Sequence, residues 1–326
     1  MSFDSQYDVC VVGAGLIGLA TARAIAGQMD GVSIVVVDKE DHIAAHQSSH
    51  NSGVVHSGLY YRPGSLKARL CVEGREAVYE TCETEGIPAE KSGKLVIATD
   101  PGEIPALDEL ERRGRANGLV GLTRLGPEGI TEHEPEAAGI DALAVPEAGV
   151  ADFPAVAGHL ANRLREGGAQ ILLGKPVTSI RHNSSGVEVK AGQSNFSARA
   201  LVNCAGLHSD RVAALAGVNS PVRIVPFRGE YYRLDDRAAG LVRALIYPVP
   251  DPRFPFLGVH FTRRIDGTVE VGPNAVLALG REQYRGVSPV WSDVWETLAS
   301  SGFRRLAVKH WLSGTRELAS SRSRRL

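Results

Sequence analysis

The sequence predicts a mixed α/β and α+β fold, in which a β/α domain is interleaved with an antiparallel-sheet domain. Three observations support this prediction. Residues 7–38 have the order strand, glycine turn, helix, strand, and a strand-like run followed by a helix-like run recurs at residues 200–215. Between residues 222 and 276, short alternating apolar segments are separated by Pro, Asp and Gly, which is typical of an antiparallel sheet.

The first stretch contains the pattern Gly-x-Gly-x-x-Gly, formed by Gly13, Gly15 and Gly18 between a β-branched run and an alanine-rich helix. In a dinucleotide-binding turn the first glycine permits a tight turn, the second lets the backbone approach a pyrophosphate, and the third lets helix and strand pack closely. The helix N-terminus then favours negative charge. Asp38 ends the second strand, 20 residues after Gly18, where an acidic side chain accepts hydrogen bonds from a ribose. We therefore predict a Rossmann-like dinucleotide-binding domain, although the motif alone does not choose between NAD and FAD.

The composition is that of a soluble globular protein with two domains. The chain has 326 residues, of which 43% are hydrophobic, and a formal net charge of −1. This balanced charge gives no support for nucleic-acid binding. The four cysteines show no CxxC spacing, so we expect reduced thiols and no metal site. Since the N-terminal residues lack a basic region and an apolar core, we predict a cytoplasmic protein.

Apolar spacing predicts helices near residues 65–85 and 105–117 and a strand over residues 94–98. Residues 126–149 are rich in Gly, Pro and acidic side chains, and we expect an irregular connection there. The antiparallel region should contain short strands, which we place at residues 222–225, 231–234, 256–261 and 269–271.

These elements predict a discontinuous division of the chain. The dinucleotide-binding domain is expected to comprise residues 1–90 and 145–221. The second domain is expected to comprise residues 91–144 and 222–312, followed by a Ser/Arg-rich tail over residues 313–326.

Four stretches resemble the L-2-hydroxyglutarate oxidase/dehydrogenase family, which belongs to the FAD-dependent superfamily of D-amino-acid oxidase and glycerol-3-phosphate dehydrogenase. They are residues 51–71 (NSGVVHSGLYYRPGSLKARLC), 201–213 (LVNCAGLHSDRVA), 225–232 (VPFRGEYY) and 255–279 (PFLGVHFTRRIDGTVEVGPNAVLAL). The resemblance implies a Rossmann-like FAD-binding domain interleaved with an antiparallel-sheet substrate domain. It also implies oxidation of L-2-hydroxyglutarate to 2-oxoglutarate by hydride transfer to the flavin, with a quinone or oxygen as the electron acceptor.

The resemblance adds cofactor-binding residues to the glycine turn and Asp38. Ser49 and Asn51 lie in a polar loop after the second strand, where small polar side chains and backbone amides suit a flavin cradle. In this superfamily the strand headed by Val177 meets the adenine, and the turn at Gly206 passes the adenosine half.

The chemistry requires a base for the hydroxyl proton and cations for two carboxylates. Histidine suits the first role because its ordinary pKa, about 6.5, leaves it mostly neutral near pH 7, and we single out His56 and His260. Arg228 is a candidate for binding a carboxylate through its two-pronged guanidinium. Alternation along residues 259–264 puts Arg264 on the same face as His260, and Tyr61 is a candidate hydrogen-bond donor to the substrate.

The family implies a closing strand and helix that contact the flavin, which the sequence lacks after about residue 318. We therefore expect weak FAD binding, and an incomplete, catalytically silent flavin fold is an alternative. A second alternative is an FAD-dependent oxidase or dehydrogenase of another 2-hydroxy acid or an amino acid. The tail arginines allow two interpretations: a solvated, disordered tail, or peripheral contact with anionic lipid at the inner membrane face.

Overall fold

The structure, a computed structural model, describes residues 5–251, 258–286 and 288–322, without the side chains of residues 312, 313 and 315–322. The chain forms two compact units. Unit 1 comprises Met1–Asn51, Phe153–Phe227 and Leu277–Trp311. Unit 2 comprises Ser52–Asp152, Arg228–Val276 and Leu312–Leu326.

The strands of the described residues form three sheets. In chain order they are β1 (Ser5–Val12), β2 (Ile34–Val37), β3 (Val54–Val55), β4 (Ala89–Glu90), β5 (Lys94–Ala98), β6 (Thr123–Leu125), β7 (Asp141–Val145), β8 (Gly149–Ala151), β9 (Gln170–Leu172), β10 (Val177–Asn183), β11 (Gly186–Ala191), β12 (Ser194–Asn203), β13 (Phe227–Arg233), β14 (Leu245–Pro248), β15 (His260–Arg263) and β16 (Val269–Leu277).

The α-helices of the described residues lie between these strands and after the last one. They are α1 (Leu16–Gln28), α2 (Leu66–Glu85), α3 (Ile104–Ala116), α4 (Pro127–His133), α5 (Phe153–Glu166), α6 (Ser209–Leu215), α7 (Asp236–Ala239), α8 (Trp291–Ala299) and α9 (Ser301–Arg322). Two short 3₁₀ helices cover Pro101–Glu103 and Gly206–His208.

Unit 1 is built on a six-stranded sheet with the strand order β10-β11-β12-β1-β2-β9. The strands β12, β1, β2 and β9 run parallel to one another, and β10, β11 and β12 form an antiparallel meander. All four residues of β2 are buried, because apolar clusters cover both faces of the parallel strands. This arrangement puts the carboxyl ends of β1 and β2 at one edge, where ligands of open α/β sheets bind.

Unit 2 is built on a seven-stranded sheet with the order β13-β16-β15-β14-β5-β7-β6. The strand β5, which the run KLVIA predicts, is central and buried along its whole length. It pairs in parallel with β14 and antiparallel with β7, so the sheet is mixed rather than purely antiparallel. A small sheet of β3, β8 and β4 completes the unit.

The predicted fold class is confirmed, and so are the helices α2 and α3 and the strand β5. The irregular connection predicted over residues 126–149 is wrong, because α4, β7 and β8 occupy most of it. The predicted strand over residues 222–225 is also wrong, since the strand begins at Phe227. Of the strand predicted over 256–261, residues 256 and 257 lie outside the described residues.

The boundaries of the two units differ from those we predicted. Residues 52–90 and 145–152 lie in unit 2, because β3 and β4 both pair with β8. Residues 277–311 lie in unit 1. Much of the predicted tail is helical, since α9 runs to Arg322. Among the described residues, no helix has both the length and the apolar character that crossing a membrane requires.

Candidate functional site

The glycine turn of unit 1 is packed so tightly that side chains cannot enter it. Gly13 has a φ of +112°, and a Cβ atom there would lie 2.3 Å from the Cys204 carbonyl oxygen. A Cβ atom on Gly18 would lie 1.8 Å from the Gly13 carbonyl oxygen. At Gly15, the residue that precedes α1, a Cβ atom would approach the Ser48 hydroxyl to 2.9 Å. The turn therefore presents bare backbone at the N-terminus of a helix, which is the arrangement that binds phosphate.

Asp38 stabilises this turn from the end of β2. Its Oδ2 accepts a hydrogen bond from Ala14 N–H at 2.6 Å, and its Oδ1 accepts one from Glu40 N–H at 2.9 Å. Each carboxylate oxygen can accept more than one hydrogen bond, so a ribose hydroxyl can still donate to Asp38. The Ser48 hydroxyl accepts a further hydrogen bond, from Leu16 N–H at 2.9 Å.

The turn opens into a groove of about 1000 Å³ in unit 1. Its lining includes Gly13, Gly15, Asp38, Val177 and Gly206. This volume is at the upper end of the range for small-molecule and cofactor sites, as an extended dinucleotide requires.

A polar cluster lies along the same groove. Lys39 Nζ pairs with Glu40 and, at 2.7 Å, with Glu282. The ring of His46 contacts Glu40 at 2.9 Å, and His208 contacts Glu282 at 2.7 Å. Glu40, His46 and Glu282 bring possible metal-ligand atoms within 4.8 Å of one another, but the Lys39 ammonium already supplies the positive charge between the two carboxylates. We therefore interpret the cluster as part of the groove rather than as a metal site.

Unit 2 contains a second cluster, on one face of the seven-stranded sheet. The imidazole of His260 stacks on the ring of Tyr247, with 3.9 Å between the ring centroids. The Lys94 ammonium lies 4.0 Å from the centroid of the Tyr247 ring and 5.1 Å from that of Tyr60. The edge of Tyr231 approaches His260, with 6.4 Å between centroids. The cluster therefore combines one cation, one imidazole and three phenol rings.

Of the side chains in this cluster, Lys94 costs the most free energy to bury, because it carries a charge and is only 2% exposed. Among the described residues its ammonium has no hydrogen-bond acceptor and no carboxylate partner. Burial lowers the pKa of Lys94 to about 7. A cation over an aromatic ring gains about 0.5–2 kcal/mol, whereas burial of an ammonium ion costs several kcal/mol. The two rings therefore offset only part of the cost of burying Lys94.

The two predicted histidines differ in how firmly they are held. His260 is 4% exposed, and its Nδ1 lies 2.8 Å from the Gly258 carbonyl oxygen. Because a carbonyl can only accept, Nδ1 carries the proton, and Nε2 is left with a free lone pair. The His56 side chain is exposed, yet the surrounding protein desolvates it enough to lower its pKa to about 4, with smaller contributions from Lys94 and His260. Desolvation also lowers the pKa of His260, so both imidazoles are neutral near pH 7.

Comparison with known proteins gives the family. A model described as FAD dependent oxidoreductase matches residues 8–318. The chain is 43% identical to the L-2-hydroxyglutarate dehydrogenase of Indibacter alkaliphilus, over 98% of this chain and 80% of that protein. It is 41% identical to the mitochondrial L-2-hydroxyglutarate dehydrogenase of Homo sapiens, over 96% of this chain and 70% of that protein.

The chain belongs to the FAD-dependent oxidoreductase family. A solved member, the dithionite-reduced L-α-glycerophosphate oxidase of Mycoplasma pneumoniae with bound FAD, matches with a TM-score of 0.74 at 25% identity, over 85% of this chain and 73% of that one. The resemblance inferred from the sequence is thereby confirmed, and FAD is the cofactor.

The groove of unit 1 fits the cofactor of this family. The turn at Gly13, Gly15 and Gly18 excludes Cβ atoms, so backbone N–H groups can approach the pyrophosphate of FAD. Asp38 lies at the end of β2, as the ribose of an FAD-dependent oxidoreductase requires. We expect these residues to hold the adenosine and pyrophosphate parts of FAD.

Gly18, Ser49 and Asn51, which we also predicted to bind the cofactor, are not among the residues that line the groove. Gly18 packs α1 against the turn and does not line the groove. Ser49 donates its hydroxyl hydrogen bond to the Ala44 carbonyl at 2.7 Å, and the Asn51 amide donates to the Ser48 carbonyl at 2.8 Å. These two side chains hold the loop, whereas Ser48, which we did not select, lines the groove beside the turn.

Of the predicted substrate-side residues, His56 and His260 belong to the cluster of unit 2, and Arg264 acts electrostatically on the phenol of Tyr231, a member of that cluster. Arg228 pairs with Glu230 at 2.5 Å, and alternation along β13 puts it on the face opposite Tyr231. The role of Arg228 as the carboxylate clamp stays a prediction. Arg264 follows the end of β15 and pairs with Glu270 at 3.0 Å.

Tyr61 is linked to the Lys94 cluster through Cys71, whose thiol acts electrostatically on both side chains. Its carbonyl accepts a hydrogen bond from the Asn117 amide at 2.9 Å, and burial raises the pKa of its phenol, with a smaller effect of Cys71. The sequence reasoning missed Lys94, although a signal was present. A lysine that opens the continuous apolar run KLVIA lies on a strand covered on both faces, so its burial was foreseeable.

We expect Asp38→Ala to weaken FAD binding by about 1.5–3 kcal/mol, because it removes a charged acceptor from the Ala14 N–H and from the ribose. The dissociation constant of FAD for the apoprotein, measured by fluorescence titration, tests this. Asp30→Ala is the control, since Asp30 is an exposed aspartate of the same unit. Equal FAD affinities of the two variants would remove Asp38 from the cofactor site.

Proposed function

We propose that the protein oxidises L-2-hydroxyglutarate to 2-oxoglutarate with FAD. One observation carries the proposal: the 43% identity to a protein named L-2-hydroxyglutarate dehydrogenase extends over 98% of the chain. The matched region, 98% of the chain, spans parts of both units. The family alone would also allow amino acids or other hydroxy acids as substrates.

The chemistry of the unit 2 cluster supports a hydroxy acid as the substrate. Oxidation of the alcohol removes a hydroxyl proton and transfers a hydride, which the flavin accepts when it is bound. His260 is suited to take the proton because its Nε2 lone pair is free and its imidazole is neutral near pH 7. The surrounding rings of Tyr60, Tyr231 and Tyr247 limit water around the imidazole, and Lys94 contributes positive charge for an anionic substrate.

Reduction of the purified flavoprotein by substrate tests this function. Under anaerobic conditions, we expect L-2-hydroxyglutarate to bleach the flavin absorption at about 450 nm and to yield one equivalent of 2-oxoglutarate. D-2-hydroxyglutarate, glycerol 3-phosphate and glycine are the comparison substrates. Faster bleaching by any of these three would reject the proposed substrate while leaving the family assignment intact.

We further propose that the electrons leave through a quinone or oxygen, and that a quinone acceptor would bring the protein to the inner membrane face. The side chains of the tail arginines lie outside the described residues, so the proposal rests on the family resemblance and on the charge of the tail. Rates of reoxidation of the substrate-reduced protein by air and by a soluble quinone distinguish the two acceptors.

A further inference from the structure

No anionic group among the residues that the structure describes pairs with the buried ammonium of Lys94. We propose that Lys94 binds the substrate carboxylate that is remote from the reacting carbon, an assignment that deepens the proposed function and rests on it. Within the described parts of the chain, the ammonium faces the rings of Tyr60 and Tyr247 and no anionic group. A dicarboxylate would supply the missing counter-charge.

None of the titratable side chains that the structure describes around Lys94 carries a negative charge near neutral pH. The titratable side chains that interact with Lys94, electrostatically or through a ring contact, are those of His56, Tyr60, Cys71, Tyr247 and His260. Near pH 7 all five are uncharged, since desolvation lowers the pKa of both imidazoles and raises the pKa of the thiol and of both phenols. Lys94 is therefore the group of this cluster whose charge changes near neutral pH.

The strand order argues for the remote carboxylate rather than the one beside the hydroxyl. Lys94 lies on β5, Tyr247 on β14 and His260 on β15, and β14 lies between the other two strands. The ring of Tyr247 contacts both the ammonium and the imidazole. A substrate that places its hydroxyl at His260 therefore reaches Lys94 with the far end of its chain. This distinguishes a five-carbon dicarboxylate from a monocarboxylic hydroxy acid.

Lysine suits this task because its ammonium loses its water when the protein folds. Substrate binding therefore does not include the free-energy cost of desolvating it. An ammonium that is already dry forms a stronger hydrogen bond with a carboxylate than one that must first lose water. Removal of Lys94 should therefore reduce substrate binding without reducing the stability of the fold.

The decisive variant is Lys94→Met, which keeps the length of the side chain and removes its charge. We expect the dissociation constant of 2-oxoglutarate for the holoprotein, measured by calorimetry, to rise roughly 10- to 150-fold, as loss of a charged hydrogen bond implies. The melting temperature should stay the same or rise, since burial of the ammonium is no longer needed. Lys94→Arg should recover part of the affinity, because it restores a cation.

Lys91→Met is the matched control. The Lys91 ammonium also lies over a tyrosine ring, 4.8 Å from the centroid of Tyr79, but Lys91 is exposed. This variant should bind 2-oxoglutarate as the wild-type protein does. If Lys91→Met and Lys94→Met bind it equally well, Lys94 has only a structural role and the assignment is wrong.

Substrate selectivity identifies the carboxylate. L-2-hydroxypentanoate has the same five-carbon chain as L-2-hydroxyglutarate without the remote carboxylate. We expect Lys94→Met to lower kcat/KM roughly 10- to 150-fold for the dicarboxylate and to leave kcat/KM for L-2-hydroxypentanoate nearly unchanged. An equal loss for both substrates would overturn the assignment to the remote carboxylate. If the wild-type protein does not oxidise L-2-hydroxyglutarate at all, the proposed function fails rather than the role of Lys94, which the calorimetry tests separately.

The pH dependence of binding provides an independent check. Because only the protonated amine attracts a carboxylate, affinity for 2-oxoglutarate should be full below the Lys94 pKa of about 7 and should fall as pH rises above it. Well above that pKa, the affinity should fall about tenfold for each pH unit. Lys94→Arg should bind independently of pH between pH 7 and 9, because a guanidinium stays charged. A wild-type affinity that stays constant over this interval would contradict the proposal.

Discussion

Replacement of Gly18 by alanine is expected to abolish FAD binding. The added Cβ atom would lie 1.8 Å from the Gly13 carbonyl oxygen and 3.0 Å from its carbonyl carbon, so backbone rather than a flexible side chain would have to move. Ordinary overpacking costs about 1–3 kcal/mol, and a backbone collision inside the phosphate-binding turn should exceed this range. The movement would separate α1 from the turn that positions the N–H groups for the pyrophosphate. Flavin content of the purified variant, measured by absorption, tests the prediction.

Gly27→Ala separates this collision from the general effect of alanine in a helix. Gly27 lies on the same helix α1, and its added Cβ would contact only the movable end of Arg23, at 3.3 Å. Alanine stabilises a helix interior by roughly 0.5–1 kcal/mol relative to glycine, so this variant should bind FAD normally and melt at the same or a higher temperature. Retention of stoichiometric FAD by Gly18→Ala would show that the close packing of helix and turn is not required.

The part of the structure that could be predicted from the sequence is the part determined by local constraints. The spacing of Gly13, Gly15 and Gly18 reflects collisions between atoms close to one another, and these collisions exist in the structure as the motif requires. The apolar run of β5 likewise predicted a strand. Such features depend on residue size and on backbone conformation, which a sequence displays directly.

The roles of the polar side chains could not be predicted in the same way, because they depend on partners distant in the sequence. Arg228 is a reasonable carboxylate ligand by residue type, but its pairing with Glu230 on β13 is visible only in the structure. Ser49 and Asn51 have the composition of a flavin loop, but their side chains satisfy the backbone of that loop. The strand β7 was missed because the flanking glycines and prolines outweighed its short apolar run. Which group a side chain bonds to depends on the tertiary structure, so no local sequence pattern specifies it.

His260→Asn is expected to reduce kcat by about 10²- to 10⁴-fold, the usual contribution of a general base. The amide of asparagine can take the place of Nδ1 and keep donating to the Gly258 carbonyl, but it has no atom at the position of Nε2. The variant thus removes the proposed proton acceptor while it preserves the hydrogen bond that orients the side chain. Flavin content should be unchanged and KM for L-2-hydroxyglutarate should change much less than kcat.

His56→Asn is the comparison that decides which imidazole takes the proton. His56 is exposed, and its ring has no hydrogen-bond partner among the described residues, whereas His260 is buried and held by Gly258 and Tyr247. A base contributes most when its geometry is fixed before the substrate binds, so the loss of kcat should be smaller for His56→Asn than for His260→Asn. The reverse order of effects would assign the proton transfer to His56.

The pH profile of kcat/KM gives a second criterion for the base. A base must be unprotonated, so kcat/KM should fall as pH decreases through the pKa of its imidazole in the free enzyme. Desolvation lowers the pKa of His260 below the ordinary value of 6.5, so the acid limb of the wild-type enzyme should lie below pH 6.5. An acid limb near pH 4 that persists in His260→Asn would match the pKa of His56. If the acid limb persists unchanged in His260→Asn, the titrating group is not His260, and the base must be sought elsewhere in the cluster.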